Sequence, residues 1–133
     1  MARIASVALA LLLLSGSGSG SGSQATQDQA APIRTQTADL TAERFSFTPS
    51  QVKTTVGTTL TIRLTSDDTA HGFRIVGTDV NVEIPKRSRG TTTVTFTPQE
   101  AGRYVFECSQ LCGAGHAFMR GEIVVTDGTR SGR

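Results

Sequence analysis

The sequence predicts an all-β domain, on the evidence of its composition and of the spacing of its apolar residues. From Arg34 onward the chain is rich in Thr and Val, and its apolar residues alternate with polar ones instead of recurring at helical spacing. Glycines interrupt these alternating runs at short intervals: Gly57, Gly72, Gly77, Gly90 and Gly102. Short strands separated by such turns are typical of a β-sandwich.

The clearest strand is the stretch TLTIRLT, in which Leu60, Ile62 and Leu64 lie on one face and polar residues lie on the other. Burial of each of these three aliphatic side chains contributes about 1.5–3 kcal/mol. The same alternation predicts strands in four further stretches: RFSF with Phe45 and Phe47 on one face, TTTVTFT with Val94 and Phe96 on one face, GRYVFEC before the first cysteine, and GEIVVTD at the end of the domain.

The N-terminus has the pattern of a secretory signal peptide. Arg3 precedes an apolar run of eleven residues, 4–14, and the stretch SGSGSGSGS follows it. A membrane span needs about 20 apolar residues, so we expect an exported, periplasmic or extracellular protein with no membrane span in the mature chain. A retained signal acting as an anchor, with the Gly/Ser run as a flexible tether, is the alternative. The domain assignment is a signal peptide at 1–25, a linker and N-terminal extension at 26–41, one folded domain at 42–127, and a C-terminal tail at 128–133.

The charge composition indicates no nucleic-acid partner. The chain has 13 Lys and Arg residues against 11 Asp and Glu residues, which nearly balance. The one basic cluster, KRSR at residues 86–89, is explained most simply by a solvated turn between strands. From the sequence alone it is assigned no function.

The stretch CSQLCGAGHAFMRG holds both cysteines of the chain, one of its two histidines and one of its two methionines. The spacing of Cys108, Cys112, His116 and Met119 would place them on one face of a helix. The three glycines of the stretch, however, would each cost a helix about 1 kcal/mol, and strands flank it on both sides. A loop that directs these side chains at one point is therefore predicted, and His71, the only other histidine, completes the set if the sandwich brings it close.

Thiolate, imidazole and thioether groups are soft ligands, and a thioether in particular favours copper over magnesium, calcium or zinc. Two cysteines in an exported protein often form a disulfide. A disulfide between Cys108 and Cys112 would close a very short loop and constrain the unfolded chain little. It would also leave His116 and Met119 unexplained, although Met119 taken alone could be core packing. A structural zinc site of two Cys and two His is the other alternative.

At these residues the chain resembles the binuclear copper domain called CuA, found in cytochrome c oxidase subunit II and in nitrous oxide reductase. The likeness is carried by the pattern Cys-x3-Cys-x3-His-x2-Met with an upstream His. It extends over the stretches HGFRIVGTDVNVEI and AGRYVFECSQLCGAGHAFMRGEIVV, and covers about residues 42–126. The resemblance implies a cupredoxin fold, a Greek-key β-sandwich with copper at one end.

The resemblance also implies how the site is built. It gives the chain two copper ions and six contributing residues: Cys108 and Cys112 as bridges, His71 and His116 each on one copper, and Met119 and the backbone carbonyl of Gln110 as weak axial ligands. A blue-copper centre uses a single thiolate, so the second cysteine is surplus for a mononuclear site. Two metals that share both sulfurs can share one electron.

The function implied by the resemblance is electron transfer. The chain would be no enzyme by itself, but would pass single electrons between a donor such as cytochrome c and an acceptor such as a terminal oxidase subunit. The competing hypothesis is copper handling, in which the domain delivers or stores copper. Sco-type chaperones also use Cys-x3-Cys with a distant His, but on a thioredoxin fold whose helices this sequence lacks.

Two departures from the family pattern limit what the resemblance implies. Many relatives carry Glu in place of Gln110, and that carboxylate contributes to a magnesium site between subunits. The chain also has no Trp, whereas the family commonly uses aromatic residues near the site for electron entry. A bridging magnesium ion is therefore not expected, and docking to cytochrome c does not follow from the resemblance alone.

Overall fold

The computed structural model describes residues 32–128, which form nine β-strands and one 3-10 turn. The strands are β1 (Arg34–Glu43), β2 (Ser46–Thr48), β3 (Gln51–Thr55), β4 (Thr58–Ser66), β5 (His71–Ile75), β6 (Asn81–Ile84), β7 (Thr92–Phe96), β8 (Gly102–Glu107) and β9 (Arg120–Thr126), and the 3-10 turn is His116–Phe118. Within residues 32–128, no helix has the length and apolar character to cross a membrane. The expected signal peptide, residues 26–31 of the linker and residues 129–133 of the C-terminal tail lie outside the described residues.

The strands form two sheets, so the predicted all-β sandwich is confirmed. One sheet has the order β2-β1-β4-β7 and the other the order β3-β9-β8-β5-β6. The pairs β1/β4 and β3/β9 are parallel, and the other pairs are antiparallel. The buried aliphatic and aromatic side chains of both sheets form one core between them.

Four of the predicted strands are present with the predicted alternation. In β4, Leu60, Ile62 and Leu64 are fully buried, while Arg63 lies on the outer face and donates two hydrogen bonds to Asp39. The other three confirmed strands are β7, β8 and β9. Alternation with period two therefore predicted these four strands. Strands β3, β5 and β6 were not predicted, although Phe73 and Ile75 of β5 and Ile84 of β6 are buried in the core.

Most of strand β1 lies in the segment 26–41, which the sequence assigns to a linker and N-terminal extension. It pairs with β4 from Arg34 opposite Thr58 to Ala42 opposite Ser66. Most of its residues are Thr, Gln or Ala, and only Leu40 and Ala42 of its apolar side chains are buried. The strand is held mainly by backbone pairing, which leaves little hydrophobic pattern in the sequence, and the folded unit begins before residue 42.

The stretch RFSF differs from its prediction. Phe47 is buried in β2, as expected, but Phe45 lies in the preceding turn and is 37% exposed. The Phe45 ring faces Gly113 and Gly115, where an added Cβ would overlap it. The two phenylalanines therefore have different surroundings, because Phe47 packs in the core and Phe45 packs against the loop that follows β8.

Three aromatic rings fill the core next to that loop. Phe47, Phe73 and Phe106 have ring centroids 5.3–5.9 Å apart, and Phe47 meets the other two edge to face. Phe73 is two residues after His71, and Phe106 is two residues before Cys108. Since residues two apart on a strand point to the same face, the core rings and the two candidate ligands share the inward face.

Four connecting segments meet at one end of the sandwich, which we call the site end. The parallel strands β1 and β4 both end there. His71 at the start of β5 is paired with Ile84 at the end of β6, also at this end. Strand β8 ends there and β9 begins there. The segments at the site end are residues 44–45, 67–70, 85–91 and 108–119. The turns at residues 76–80 and 97–101 lie at the opposite end.

Candidate metal centre

The candidate ligands come from two places at the site end. His71 is the first residue of β5 and its side chain is 0% exposed. The others lie on the ligand loop, which we define as residues 108–119. The loop is closed at its base, because the Cys108 N–H donates a hydrogen bond to the Met119 carbonyl at 3.0 Å. Both ends of the loop are thus fixed by strands of one sheet.

The ligand atoms of the six residues predicted from the sequence lie close together. The separations are 3.7 Å between Cys108 Sγ and Cys112 Sγ, 4.0 Å from Cys108 Sγ to His71 Nδ1, 3.1 Å from Cys108 Sγ to the Gln110 carbonyl oxygen, 3.8 Å from Cys112 Sγ to His116 Nδ1, and 3.9 Å from Cys112 Sγ to Met119 Sδ. The two sulfurs are therefore the middle of the cluster, and one imidazole lies beside each of them.

These distances are close to those between ligands of one metal ion. Ligand atoms that share one metal at bond lengths of about 2.0–2.3 Å, in tetrahedral geometry, are about 3.3–3.8 Å apart. The donor atoms of His71, Cys108 and Cys112 all lie within 4.8 Å of one another. Both cysteines are free thiols, since their sulfurs are 3.7 Å apart where a disulfide needs about 2.05 Å. The structure thus brings the candidate donor atoms together and contains no disulfide between Cys108 and Cys112.

The imidazole of His71 is held in place by Asp68, which the sequence analysis did not single out. His71 Nε2 lies 2.7 Å from the Asp68 carboxylate. A carboxylate can only accept, so Nε2 carries a proton, and Nδ1, which lies on the side of Cys108, is the nitrogen available to a metal. A carboxylate that fixes the tautomer and orientation of a histidine in this way is the usual support for a metal-binding imidazole.

The surroundings of Asp68 keep it ionised for this role. Burial by itself raises the pKa of the Asp68 carboxyl, but hydrogen bonds, first among them the bond to His71, hold that pKa below its usual range. The Arg44 backbone N–H contributes a further hydrogen bond, at 3.1 Å. Negative charge beside the buried imidazole is therefore retained.

Cys112 has the opposite shift. Burial, followed by the hydrogen bond with Cys108, raises the pKa of the Cys112 thiol to about 11. Without a metal this group is protonated near neutral pH. A metal ion has to displace the proton to use the thiolate, so metal binding releases protons and weakens as the pH falls.

Arg44 and Phe45 hold the ligand loop from outside. Arg44 Nε donates a hydrogen bond to the Cys112 carbonyl at 3.0 Å, and the Phe45 ring packs on Gly113 and Gly115. Gly113 has a φ of 143°, a conformation in which a residue with a side chain is strained. The glycines of the ligand loop thus allow both its path and its close contact with Phe45.

Gly72 brings the ligand loop against β5. The sequence predicts a turn at Gly72, but this residue lies inside strand β5, next to His71. A Cβ at this position would be 2.6 Å from the Gln110 backbone nitrogen and 2.9 Å from the Ser109 carbonyl carbon, and would overlap the Ser109 hydroxyl. These neighbours are largely backbone, so the ligand loop would have to move.

We expect Gly72→Ala to destabilise the domain by about 1–3 kcal/mol, the usual cost of overpacking, and to weaken metal binding as well. The free energy of unfolding from denaturant titration and the affinity for Cu(I) measure the two effects. Gly77→Ala is the control, because no atom lies within 4 Å of its Cβ and only its φ of 80° opposes the change. It should lower stability by about 1–2 kcal/mol with Cu(I) affinity unchanged. Equal Cu(I) affinities for the two variants would contradict this role of Gly72.

A comparison with protein families places the chain in a known class. The model of the cupredoxin-like domain family matches residues 4–125. The chain therefore belongs to the cupredoxin-like domain family, which confirms the fold expected from the resemblance.

Within this class the chain is similar to cytochrome c oxidase subunit 2 of Thermus thermophilus. It is 36% identical to that protein over 83 residues, which are 62% of this chain and 60% of the relative. A second subunit 2 from the same organism is again 36% identical over 83 residues, and 48% of its length is covered. The chain thus spans about half to three fifths of the length of these relatives.

Solved structures give the same fold. A heme-copper terminal oxidase dimer matches with 29% identity and a TM-score of 0.61 over 68% of this chain and 65% of that one. The periplasmic domain of subunit II of cytochrome oxidase of Bradyrhizobium japonicum matches with 19% identity and a TM-score of 0.64, over 73% and 88% of the two chains. The blue copper protein auracyanin A of Chloroflexus aurantiacus matches with 20% identity and a TM-score of 0.55, over 69% and 99%. The last two likenesses are evidence of the fold alone.

Proposed function

We propose that this chain is an electron-transfer protein that holds two copper ions in a binuclear centre. The bridging ligands are Cys108 and Cys112, and the remaining ligands are His71, His116, Met119 and the Gln110 carbonyl. The observation that carries the proposal is the placement of the two imidazoles, one beside each sulfur of a thiol pair only 3.7 Å apart. A mononuclear blue-copper site needs one thiolate, and here a second thiol occupies the middle of the cluster.

The type of ligand supports copper over other metals. Met119 is 1% exposed and its sulfur lies 3.9 Å from Cys112 Sγ, so a thioether forms part of the wall of the site. Thioether and thiolate sulfur select soft metals, whereas magnesium and calcium take oxygen ligands. Zinc binds Cys and His, but a zinc site would leave the position of Met119 unexplained.

The residues that hold the candidate ligands are fixed in place, which favours electron transfer over release of the metal. Bound copper supplies a one-electron couple, and fast transfer needs ligands that keep their positions in both oxidation states. His71 is fixed by β5 and Asp68, and the ligand loop is fixed by the hydrogen bond between Cys108 and Met119 and by Arg44. Release of the metal would require two separately anchored segments to move apart.

The donor, the acceptor and the location follow from the relatives. Their names refer to cytochrome c oxidase subunit 2, and one solved relative is a periplasmic domain. On this basis we propose that the chain acts in an exported compartment as the electron-entry unit of an oxidase, and is not catalytic by itself. The donor is a redox protein such as cytochrome c, and the acceptor is an oxidase subunit.

Metal content and EPR test the centre directly. The chain loaded with copper should bind two copper ions, with the unpaired electron shared between them in the oxidised state. The EPR spectrum should then contain more hyperfine lines than one copper nucleus produces. A spectrum of a single localised copper, or preferential uptake of zinc from an equimolar mixture, would contradict the binuclear proposal.

Retention of copper on reduction separates an electron carrier from a copper carrier. The loaded chain is reduced in the presence of a metal-free copper acceptor domain and a modest Cu(I) chelator, and the location of the copper is then measured. We expect the copper to stay on this chain through repeated cycles of reduction and oxidation. Transfer of most of the copper to the acceptor after one reduction would instead support copper delivery.

A further inference from the structure

The basic cluster at residues 86–89, here called the basic turn, lies next to the candidate metal centre. It follows Ile84, whose strand partner is His71, with one proline between. The Arg87 N–H donates a hydrogen bond to the Asp68 carbonyl at 3.1 Å. Because the Asp68 carboxylate in turn holds His71, only one residue separates the basic turn from a ligand.

The backbone of the basic turn projects its side chains into solvent. The Arg89 N–H donates a hydrogen bond to the Lys86 carbonyl at 3.0 Å, which closes the turn. Ser88 has a φ of 62°, in the left-handed region that residues other than glycine seldom adopt. Lys86, Arg87 and Arg89 are all exposed. Three positive charges therefore occupy four consecutive positions of a defined turn.

These three charges are not paired with nearby carboxylates. None of the ion pairs among residues 32–128 includes Lys86, Arg87 or Arg89. The acidic group on the adjacent segment, Asp68, is engaged by His71 and by the Arg44 backbone. The other acids near the turn are Asp67, Glu43 and Glu83, which are exposed.

The opposite end of the sandwich has no comparable cluster of cations among the described residues. The two turns there contain Asp79 and Glu100, and Asp127 follows β9 at the same end. Arg34 at the start of β1 and Arg103 near the start of β8 are single cations near that end. Because Glu43, Asp67 and Glu83 also lie at the site end, its positive charge is local to the basic turn, beside the metal centre. Three cations grouped in this way attract an acidic surface to that part of the site end.

The ligand loop adds an apolar contact at the same end. Leu111 is 80% exposed and Phe118 is 81% exposed, and they lie next to Cys112 and Met119 in sequence. Protein interfaces commonly combine an apolar centre with a polar or charged rim. At the site end, the exposed apolar side chains of the ligand loop correspond to the apolar centre of such an interface, and the cations of the basic turn correspond to its charged rim.

We infer that the site end docks an electron-transfer partner whose surface is acidic, and that the basic turn is the charged contact. The inference rests on the proposed function and specifies the kind of partner that the function requires. A partner with carboxylates around its redox group would approach with that group toward the ligand loop. A basic partner such as mitochondrial-type cytochrome c would be repelled by the basic turn.

The test is the rate of electron transfer into the copper-loaded full chain, measured by stopped flow as a function of ionic strength. Reduced cytochrome b5, an acidic haem protein, and reduced mitochondrial-type cytochrome c, a basic one, are the two probes. At low salt we expect the bimolecular rate constant with cytochrome b5 to be at least about 10-fold above its value in high salt. The rate constant with cytochrome c should rise with salt or stay flat.

The variant Lys86→Gln/Arg87→Gln/Arg89→Gln should lose about 10-fold in rate with cytochrome b5 at low salt, with an unchanged copper spectrum. Lys86→Gln and Lys53→Gln form a matched pair, because both remove one exposed lysine and Lys53 lies on β3, away from the basic turn. Only Lys86→Gln should slow the reaction.

Several outcomes would overturn the inference. One is an unchanged rate with cytochrome b5 in the triple variant, and another is a faster reaction with cytochrome c at low salt. A third is binding of the wild-type chain, but not the triple variant, to phosphatidylserine-containing vesicles, with the rate for cytochrome b5 unaffected. If neither haem protein exchanges electrons with the copper-loaded chain at any salt concentration, the proposed function itself is contradicted. That result can be told apart from the three outcomes above, which contradict only the docking inference.

Discussion

Cys112→Ser should abolish the two-copper centre and reduce copper binding to one labile ion or none. Cys112 Sγ is the atom that connects the cluster, since it lies 3.7 Å from Cys108 Sγ, 3.8 Å from His116 Nδ1 and 3.9 Å from Met119 Sδ. A serine hydroxyl is smaller and harder, and is a poor ligand for copper. Loss of an outer-shell support typically lowers metal affinity about 10–100-fold, so loss of a bridging ligand should lower it by more than about 100-fold.

The measurements are copper per chain, EPR and the charge-transfer absorption of the thiolates. Ala114→Ser is the matched control, because it places a hydroxyl at an exposed position of the same loop. It should leave all three measurements unchanged. Circular dichroism should show both variants folded, since the core rings do not depend on the Cys112 sulfur. A Cys112→Ser protein with two coppers and an unaltered spectrum would remove Cys112 from the bridge.

The sequence was sufficient to predict four strands whose apolar and polar side chains alternate, namely β4, β7, β8 and β9. β4 has three fully buried aliphatic residues at alternate positions, and this is the pattern that a half-buried strand requires. β1 is different because its contribution is a backbone ladder beside β4, with Thr, Gln and Ala at most positions. Backbone pairing between residues 24 positions apart depends on the assembled sheet, so the local composition of β1 cannot indicate it.

The candidate site shows the same division. The candidate ligands could be predicted because Cys, His and Met are rare here and have a characteristic spacing on one loop. Asp68, Arg44 and Gly72 were not found, although they hold His71, Cys112 and the path of the ligand loop respectively. Asp and Arg are common on any surface, and a glycine looks the same in a turn and in a crowded strand. Their roles follow from distances between segments that the fold alone brings together.

The core and the candidate site depend on each other through alternate residues of the same chain segments. Phe106 and Cys108 lie two apart, as do Phe73 and His71, so the rings form the layer directly beneath the ligands. A Cβ at Gly121, which is opposite Phe106 in the sheet, would overlap the Phe106 ring. The Phe106 ring is therefore packed directly on the backbone of Gly121, with no room for a side chain between them.

Phe106→Ala should accordingly destabilise the domain by about 3–5 kcal/mol, which is a large part of the roughly 5–15 kcal/mol typical of a whole domain. Phe106 is 0% exposed and contacts both other core rings, so the change removes apolar burial and two aromatic contacts and leaves a cavity. Because this cavity lies beneath Cys108, copper should also dissociate faster from the variant. Denaturant unfolding of the metal-free chain measures the first effect, and transfer of Cu(I) to a chelator measures the second.

Val105→Ala is the control for this prediction, since Val105 is the neighbouring residue of β8 on the outer face and is 37% exposed. It removes apolar volume from the same strand without opening the core, and should cost no more than about 1 kcal/mol, the span of strand propensity. Copper dissociation should be unchanged. Equal destabilisation by the two variants would mean that β8 is held by its backbone ladder and that Phe106 does not support the ligands. A larger loss for Phe106→Ala, with faster copper dissociation in that variant alone, is the result expected if the aromatic layer keeps the ligands in place.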